Sequence, residues 1–398
     1  MEIGQKLSDR EAMLLAIQEA KRGEGFVSPN PLVGCTILDS FGKLLSVGFH
    51  SAVGGDHAEV DAIKKVKDLA LLDGAQVFVT LEPCAHQGRT PSCARQLAEL
   101  PVQRVVYGLE DPNPLVSGKG AEILIAAGKQ VEKFEDLGVE LERLAEIFLI
   151  NMRSRRAWLT LKVASSLDGR VALNSGESQW ITSEKSREQV QFLRGTHDAI
   201  LIGAGTFLKD NPSLDIRHPH FSQKRNKVIL IDPRGETLKL LPTSKILKAH
   251  QPDDIFIVLS WDQREEFTDE ALKKECINLA ATAMSSPAGW QDSRGWTYIF
   301  PETLADGRLD LKEVTEKVFE KGICSILCEG GGRVFSSFLK QNAADRLILF
   351  QNISVFGEGL AWGSGFSIKN LDERIRLSHP EVTHLGEDLM ISGRIKFN

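Results

Sequence analysis

No run of eighteen consecutive apolar residues occurs in this 398-residue sequence, so nothing in it reads as a membrane-spanning helix. The N-terminus, Met1-Glu2-Ile3-Gly4-Gln5-Lys6, passes directly into charged residues without the apolar centre of a signal peptide. Six cysteines, at positions 35, 84, 93, 276, 324 and 328, are too scattered for the disulfide framework of a small secreted domain. A reduced, cytoplasmic protein is the expectation. Positive charge is not in excess either. The formal net charge of −6 leaves no electrostatic footprint for a polynucleotide, although a local basic pocket is compatible with it. Neither nucleic acid nor membrane is an expected partner; a small-molecule substrate and a homo-oligomer are.

The composition that is present, 42% apolar and 26% charged, is that of a soluble globular protein. The length exceeds one ordinary domain, and two domains can each bury a core. The polar, basic stretch Asn151-Met152-Arg153-Ser154-Arg155-Arg156 stands between two apolar blocks. It sets the expected boundary, giving domains 1–152 and 153–398.

His57-Ala58-Glu59, Pro83-Cys84 and Cys93 carry the chemistry of the first half. One imidazole and two thiolates leave a fourth tetrahedral position on zinc open to water, as in a catalytic site. The metal would bring that water towards neutrality, and Glu59, two residues from the histidine, could pass its proton to a leaving amine. Hydrolytic deamination is the implied reaction. The general zinc-deaminase signature is C-x-x-C, whereas eight residues separate Cys84 from Cys93. The longer loop brings His86 and Arg89 beside the site. Taken alone, either cysteine reads first as a small buried hydrophobe; the order with His57 and Glu59 is what makes it a ligand.

Around these residues the pattern alternates. Ser8 and Glu11 form a capping box for a first helix carrying Ala12, Leu15, Ala16 and Ala20. Val33–Leu38 and Lys43–Val47 read as a hairpin. A helix starting near His57 has Val60, Ile63 and Val66 as its expected apolar side. Gln76–Leu81 is a strand delivering Cys84 to where a helix should begin. Arg104–Gly108, Ala121–Ala127, Gln130–Val131 and a charged helix over 138–150 complete an α/β sandwich.

Ser28-Pro29-Asn30-Pro31-Leu32-Val33-Gly34-Cys35, Gly48-Phe49-His50, His57-Ala58-Glu59-Val60, Thr80-Leu81-Glu82-Pro83-Cys84, Gly88-Arg89-Thr90-Pro91 and Asp111-Pro112-Asn113-Pro114 resemble the deaminase half of the bifunctional riboflavin biosynthesis deaminase/reductase family. The long intercysteine loop is itself a mark of that family, with Ser92 standing where it usually shows a second proline. The resemblance implies a cytidine-deaminase-like α/β/α zinc domain. Its substrate would be a diaminopyrimidinone bearing a ribosylamino 5'-phosphate, formed by opening the imidazole ring of GTP. Glu59 would be the proton shuttle, with Asn30, His50, His86 and Arg89 on the pyrimidine or ribose phosphate. Asn30 between two prolines also reads as a turn residue, His50 as a strand-end histidine and Arg89 as a solvated charge.

The second half opens on the strand that begins at Trp158 and turns into the loop Ser165-Ser166-Leu167-Asp168-Gly169-Arg170. A helix capped by Thr182 or Ser183 runs to about Arg194. Ala199–Gly203, Asn226–Ile231, Ile255–Leu259 and Ile323–Cys328 are buried strands. Gly203-Ala204-Gly205-Thr206 fails the dinucleotide fingerprint, having no third glycine in register. Glu329-Gly330-Gly331-Gly332-Arg333 after a strand is a credible pyrophosphate seat. Lys162 on a core-facing strand must be either a site residue or a buried ion pair.

Lys162–Gly169, Gly176–Thr182, Gly203–Arg217 and Glu329–Gly332 resemble the reductase half of the same family, whose fold is dihydrofolate-reductase-like α/β. That implies hydride transfer from NADPH, converting the ribosyl group to ribityl. Ala164, Trp180, Thr206, Asp210, Gly330, Gly331 and Gly332 would contact NADPH. Ser178, Arg194, Leu214, Arg217 and Glu329 would contact substrate, with Lys162 catalytic. The region 234–320, including Trp261, Trp290 and Trp296, reads as peripheral scaffold. Two alternatives stand beside this reading: a single-site nucleoside or tRNA deaminase with an accessory domain, and a non-enzymatic scaffold.

Overall fold

The computed structural model describes residues 2–85, 92–113, 117–260, 262, 290–292 and 294–397. The chain forms two compact units, Met1–Arg155 and Arg156–Asn398.

In the first unit, α1 (Asp9–Ala20) starts at the Ser8 and Glu11 capping box, the Ser8 amide donating to the Glu11 carboxylate at 2.8 Å. It is followed by β1 (Gly34–Leu38), β2 (Leu44–Phe49), α2 (Ala58–Lys64), β3 (Gln76–Leu81), α3 (Cys93–Glu99), β4 (Arg104–Leu109), α4 (Lys119–Ala126), β5 (Gln130–Lys133) and α5 (Gly138–Ser154). The strands form one sheet in the order β2-β1-β3-β4-β5. The β1 pairings are antiparallel, while β3, β4 and β5 run parallel. Apolar clusters lie on both sheet faces: one contains Cys35, Ala58, Ala62, Val77 and Leu97, the other Met13, Ala16, Phe78 and Leu141.

Three expectations change here. Helix α2 buries Ala58 and Ala62 most deeply; of the expected apolar side, Val66 just beyond the helix is buried and Ile63 packs half-exposed against the same cluster, while Val60 stays half-exposed. The cause lies on β2, where a Cβ at Gly48 would fall on the Ala58 and Ala62 backbone. The helix therefore lies so close to the strand that only small residues fit between them. The Ser46 hydroxyl, donating to the Ala62 carbonyl at 2.8 Å, and the Phe49 amide, donating to Asp61 at 3.0 Å, fix it there. The second change is at Cys84, which lies in a loop; the helix begins at Cys93, with buried Ser92 as its N-cap. Helix α5 also extends through Ser154, beyond the expected end near 150.

The second unit comprises β6 (Trp158–Ser165), β7 (Arg170–Leu173), α6 (Glu184–Thr196), β8 (Ala199–Gly203), α7 (Ala204–Asp210), β9 (Lys227–Ile231), α8 (Lys245–Ala249), β10 (Ile255–Val258), β11 (Trp290–Gln291), β12 (Thr297–Ile299), α9 (Leu311–Glu320), β13 (Ser325–Cys328), α10 (Gly332–Lys340), β14 (Arg346–Asn352), β15 (Gly359–Ala361), β16 (Arg376–Leu385) and β17 (Asp388–Lys396). Ten strands form a sheet in the order β11-β12-β10-β9-β8-β13-β6-β14-β17-β16, and β15 pairs with β7. From β12 through β14 every neighbouring pair is parallel, and the central strands are correspondingly apolar on both faces. The strand expected over Ile255–Leu259 is fully buried as β10, but the scaffold around it is not peripheral: Trp296 and Tyr298 belong to a core cluster with Leu214 and Leu241.

Candidate metal centre and reductase cavity

Three elements of the first unit converge on the metal centre. His57 is the residue preceding α2, Cys84 follows the end of β3, and Cys93 is the first residue of α3. Their ligand atoms all lie within 4.8 Å of one another. The Nδ1 of His57 is 3.3 Å from Cys93 Sγ and 3.6 Å from Cys84 Sγ. A tetrahedral zinc, bonded at about 2.3 Å to sulfur and about 2.1 Å to nitrogen, has S···N edges of about 3.6 Å. The donor set therefore fits zinc in both chemistry and spacing.

The Cys93 thiol and the Cys93 amide, the latter at 3.3 Å, donate to Cys84 Sγ. These bonds, with His57 nearby, bring the Cys84 thiol well below its ordinary range and favour the thiolate that zinc binds. The hydrogen bond to Cys84 and burial push the Cys93 thiol up. Burial raises the Glu59 carboxyl to about 7 against the opposing pull of its own backbone and His57. Glu59 is thus a buried acid beside the ligand set, with an affinity for protons suited to transfer near neutrality.

Asn30 and His50 are brought together. The Asn30 amide nitrogen is 3.0 Å from His50 Nε2, and His50 Nδ1 is 2.9 Å from the Asp56 carbonyl. A carbonyl only accepts, so Nδ1 is the donor, and a neutral His50 accepts from Asn30 through Nε2. This orients Asn30 and leaves its amide oxygen for a ligand. The His50 and His57 rings meet edge to face, with centroids 5.7 Å apart. His86 and Arg89 lie outside the described residues.

Glu82 was not singled out by sequence. Its buried carboxylate accepts from the amides of Gly118, Gly120, Ala121 and Asp111 at 2.9–3.4 Å. The residue directly before Pro83-Cys84 thereby anchors the metal loop to the start of α4. Its position after a strand was the available signal.

The second unit holds a cavity of about 960 Å³ at the carboxyl ends of β6, β13, β8 and β9. That is the end of a parallel sheet where ligand sites form. Lys162, Ala164, Ser178, Thr206 and Asp210 line it, as do Glu329, Gly331 and Gly332. Lys162 Nζ lies 3.3 Å from Glu329 Oε2; Arg194 forks onto the same carboxylate at 2.7 and 3.1 Å. Lys162 is therefore both ion-paired and at the cavity. Gly330 lies against β8, where a Cβ would press on Ile202 and Gly203, and the Gly331 amide donates to Thr206 Oγ1 at 3.2 Å.

Other expected residues fall elsewhere. Leu214 is 2% exposed in the core. Arg217 is an exposed residue beside Asp215. Trp180 is 71% exposed beneath the Arg187 guanidinium, 4.7 Å from the ring centroid. None of the three lines the cavity. Arg234, Arg308 and Leu309 do, although they belong to the stretch read as peripheral.

The chain matches the cytidine and deoxycytidylate deaminase zinc-binding region over residues 6–109 and the RibD C-terminal domain over residues 157–391. The riboflavin biosynthesis protein RibD of Aquifex aeolicus is 34% identical over 386 residues, covering 96% of this chain and 97% of that protein. The chain belongs to the RibD family. A solved RibD of Acinetobacter baumannii has a TM-score of 0.79 at 30% identity, covering 98% of this chain and 99% of its own. A Thermotoga maritima structure, described as a diaminohydroxyphosphoribosylaminopyrimidine deaminase/5-amino-6-(5-phosphoribosylamino)uracil reductase, has a TM-score of 0.77 at 29% identity, covering 97% and 98%. This RibD-family chain is a bifunctional riboflavin biosynthesis enzyme, a zinc deaminase and an NADPH-dependent reductase, with cytidine-deaminase-like and dihydrofolate-reductase-like domains. The match over 157–391 displaces the single-site alternative. No helix among the described residues is long and apolar enough to cross a membrane.

Proposed function

We propose that residues 1–152 deaminate 2,5-diamino-6-ribosylamino-pyrimidinone 5'-phosphate and that residues 153–398 then reduce its ribosyl group to ribityl, giving 5-amino-6-ribitylamino-uracil phosphate. The description of the Thermotoga maritima relative supports this substrate pair. The observation that carries the first step is the His57, Cys84 and Cys93 set at zinc spacing beside buried Glu59. Zinc, when bound, supplies an acidified water and NADPH a hydride.

The chain's own residues do the rest. Glu59 takes a proton from the attacking water and returns it to the departing ammonia. Asn30, held by His50, bonds the pyrimidine, while His86 and Arg89 serve the ring or its ribose phosphate. In the reductase, Lys162 offers its proton-bearing amine to the opening sugar. Arg194 and Glu329 fix that amine in place, and Ser178, which lines the cavity, completes the substrate contacts. Ala164, Thr206, Asp210 and the glycine run Gly330–Gly332 bind NADPH. The protein acts in the cytoplasm, a reading supported by the free state of its five described cysteines, and assembles as a homo-oligomer.

The test is anaerobic incubation with the ring-opened GTP product, following ammonia and NADPH absorbance together. Ammonia release should precede NADPH oxidation. Glu59→Gln should retain zinc, lower ammonia release by about 10²–10⁴-fold and leave reduction of supplied deaminated substrate intact. Oxidation of NADPH without prior ammonia release would reject the order.

A further inference from the structure

The reductase cavity has two unlike ends. Over β6 and β13 the charges are fixed in the Lys162, Glu329 and Arg194 cluster. The glycine run and Thr206 lie over β13 and β8. Beyond them the wall is built by Asp232–Glu236, after β9, and by the turn before α9, and each segment brings an arginine to the cavity.

Arg308 is held by a tight turn. The Leu304 amide donates to the Arg308 carbonyl at 2.7 Å, and the Gly307 amide to the Leu304 carbonyl at 2.8 Å, with Gly307 at φ +79°. Leu309 and Leu311 are buried just after it and fix the backbone. The guanidinium rests on Asp306, Nε donating at 2.7 Å, but its buried Nη1 has no hydrogen-bond partner among the described residues. Arg234 pairs with Glu236 at 2.5 Å, a pair about half exposed on the arginine side. Exposed pairs of this kind are weak and exchange readily for a better anion. Asp232 competes little, because its carboxylate already accepts from the Glu236 amide and from both the amide and hydroxyl of Thr237 at 2.6–3.0 Å.

We propose that Arg234 and Arg308 seat the 2'-phosphate of NADPH and so make the reductase discriminate against NADH. The inference rests on the NADPH reading and on the order of parts in a dinucleotide. With the nicotinamide end at Lys162 and the pyrophosphate at Thr206 and the glycine run, the adenosine half extends over β9. Three strand spacings from β6 to β9 span about 14 Å. A guanidinium fork suits a phosphate dianion, and the part-exposed pair of Arg308 with Asp306 exchanges for such an anion as readily as that of Arg234 with Glu236.

The test is fluorescence titration of the full chain with NADPH and NADH, with 2',5'-ADP and 5'-ADP as competitors. Arg234→Ala and Arg308→Ala should each weaken NADPH about tenfold, the size of one charge-assisted hydrogen bond, and should weaken 2',5'-ADP in parallel. NADH and 5'-ADP should bind as before, which also reports that the cavity is intact. Arg308→Lys should recover part of the loss. An unchanged NADPH to NADH ratio, or equal loss of both coenzymes, would overturn the assignment while leaving NADPH use standing. Wild-type protein that binds neither coenzyme would overturn both.

Discussion

His197 and Glu329 are buried in the second unit and hold pKa values below their ordinary ones for different reasons. Burial drives His197 down to about 4. Its Nδ1 donates to the Leu193 carbonyl at 2.8 Å, and Nε2 accepts from the Thr160 hydroxyl at 3.0 Å, so the neutral ring is the folded form. Burial alone would raise Glu329, but the charges of Arg194 and Lys162 outweigh it and bring the carboxyl to about 2. In the unfolded chain these groups take up protons near 6.5 and 4.5. The unfolded state therefore binds more protons on acidification, and stability falls as pH drops. His197 contributes this loss from pH 6.5 to about 4, and Glu329 from pH 4.5 to about 2. Each can reach about 1.4 kcal/mol per pH unit. Urea midpoints followed by tryptophan fluorescence between pH 7 and 5 should fall less steeply in His197→Gln than in wild type. Parallel slopes would assign the acid sensitivity to other groups.

At the scale of elements, α2 shows where sequence reading succeeds and stops. Its start at His57 was legible, because the motif and the local pattern agree. Its buried face was legible only in part: Ile63 and Val66 pack on the core as expected, but Ala58 and Ala62, which Val60 outranks in any hydrophobic count, lie closest to the sheet. The deciding contact is with Gly48, distant in sequence and on another strand. The Val/Ile-rich strands were legible for a local reason: apolar runs bounded by polar loops need no partner to be recognised. Cys84 was placed at a helix start because α3 could not be foreseen to wait for Ser92. Gly48→Ala tests the close contact. The added methyl forces α2 outward at a cost of about 1–3 kcal/mol and carries His57 away from Cys84 and Cys93. Zinc held against a competing chelator should decrease along with ammonia release, while NADPH oxidation on deaminated substrate stays at the wild-type rate. Full zinc retention with unchanged deamination would show that α2 tolerates the displacement.

At the scale of the whole chain, the two sites differ in how far sequence could reveal them. The metal centre is carried by residue types that zinc requires, so His57, Cys84, Cys93 and Glu59 stood out by type and order despite the long gap between the cysteines. The reductase cavity is assembled by strand order. Arg234 and Arg308 meet it only because β9 lies beside β8 and the turn before α9 reaches the same sheet end, and an arginine in a loop carries no mark of that. The same contrast governs metal removal. The three zinc ligands come from separate elements, so zinc bound to the folded state stabilises the unit that assembles them. No ligand of that set belongs to residues 156–398. Stripping zinc with a chelator should abolish ammonia release and lower the melting temperature of the first unit. Reduction of supplied deaminated substrate and the NADPH dissociation constant should not change, and added zinc should restore the first activity. Loss of both activities on chelation, recovered together with zinc, would mean that the reductase depends on the metal-loaded state of the other unit, contrary to two chemically separate sites.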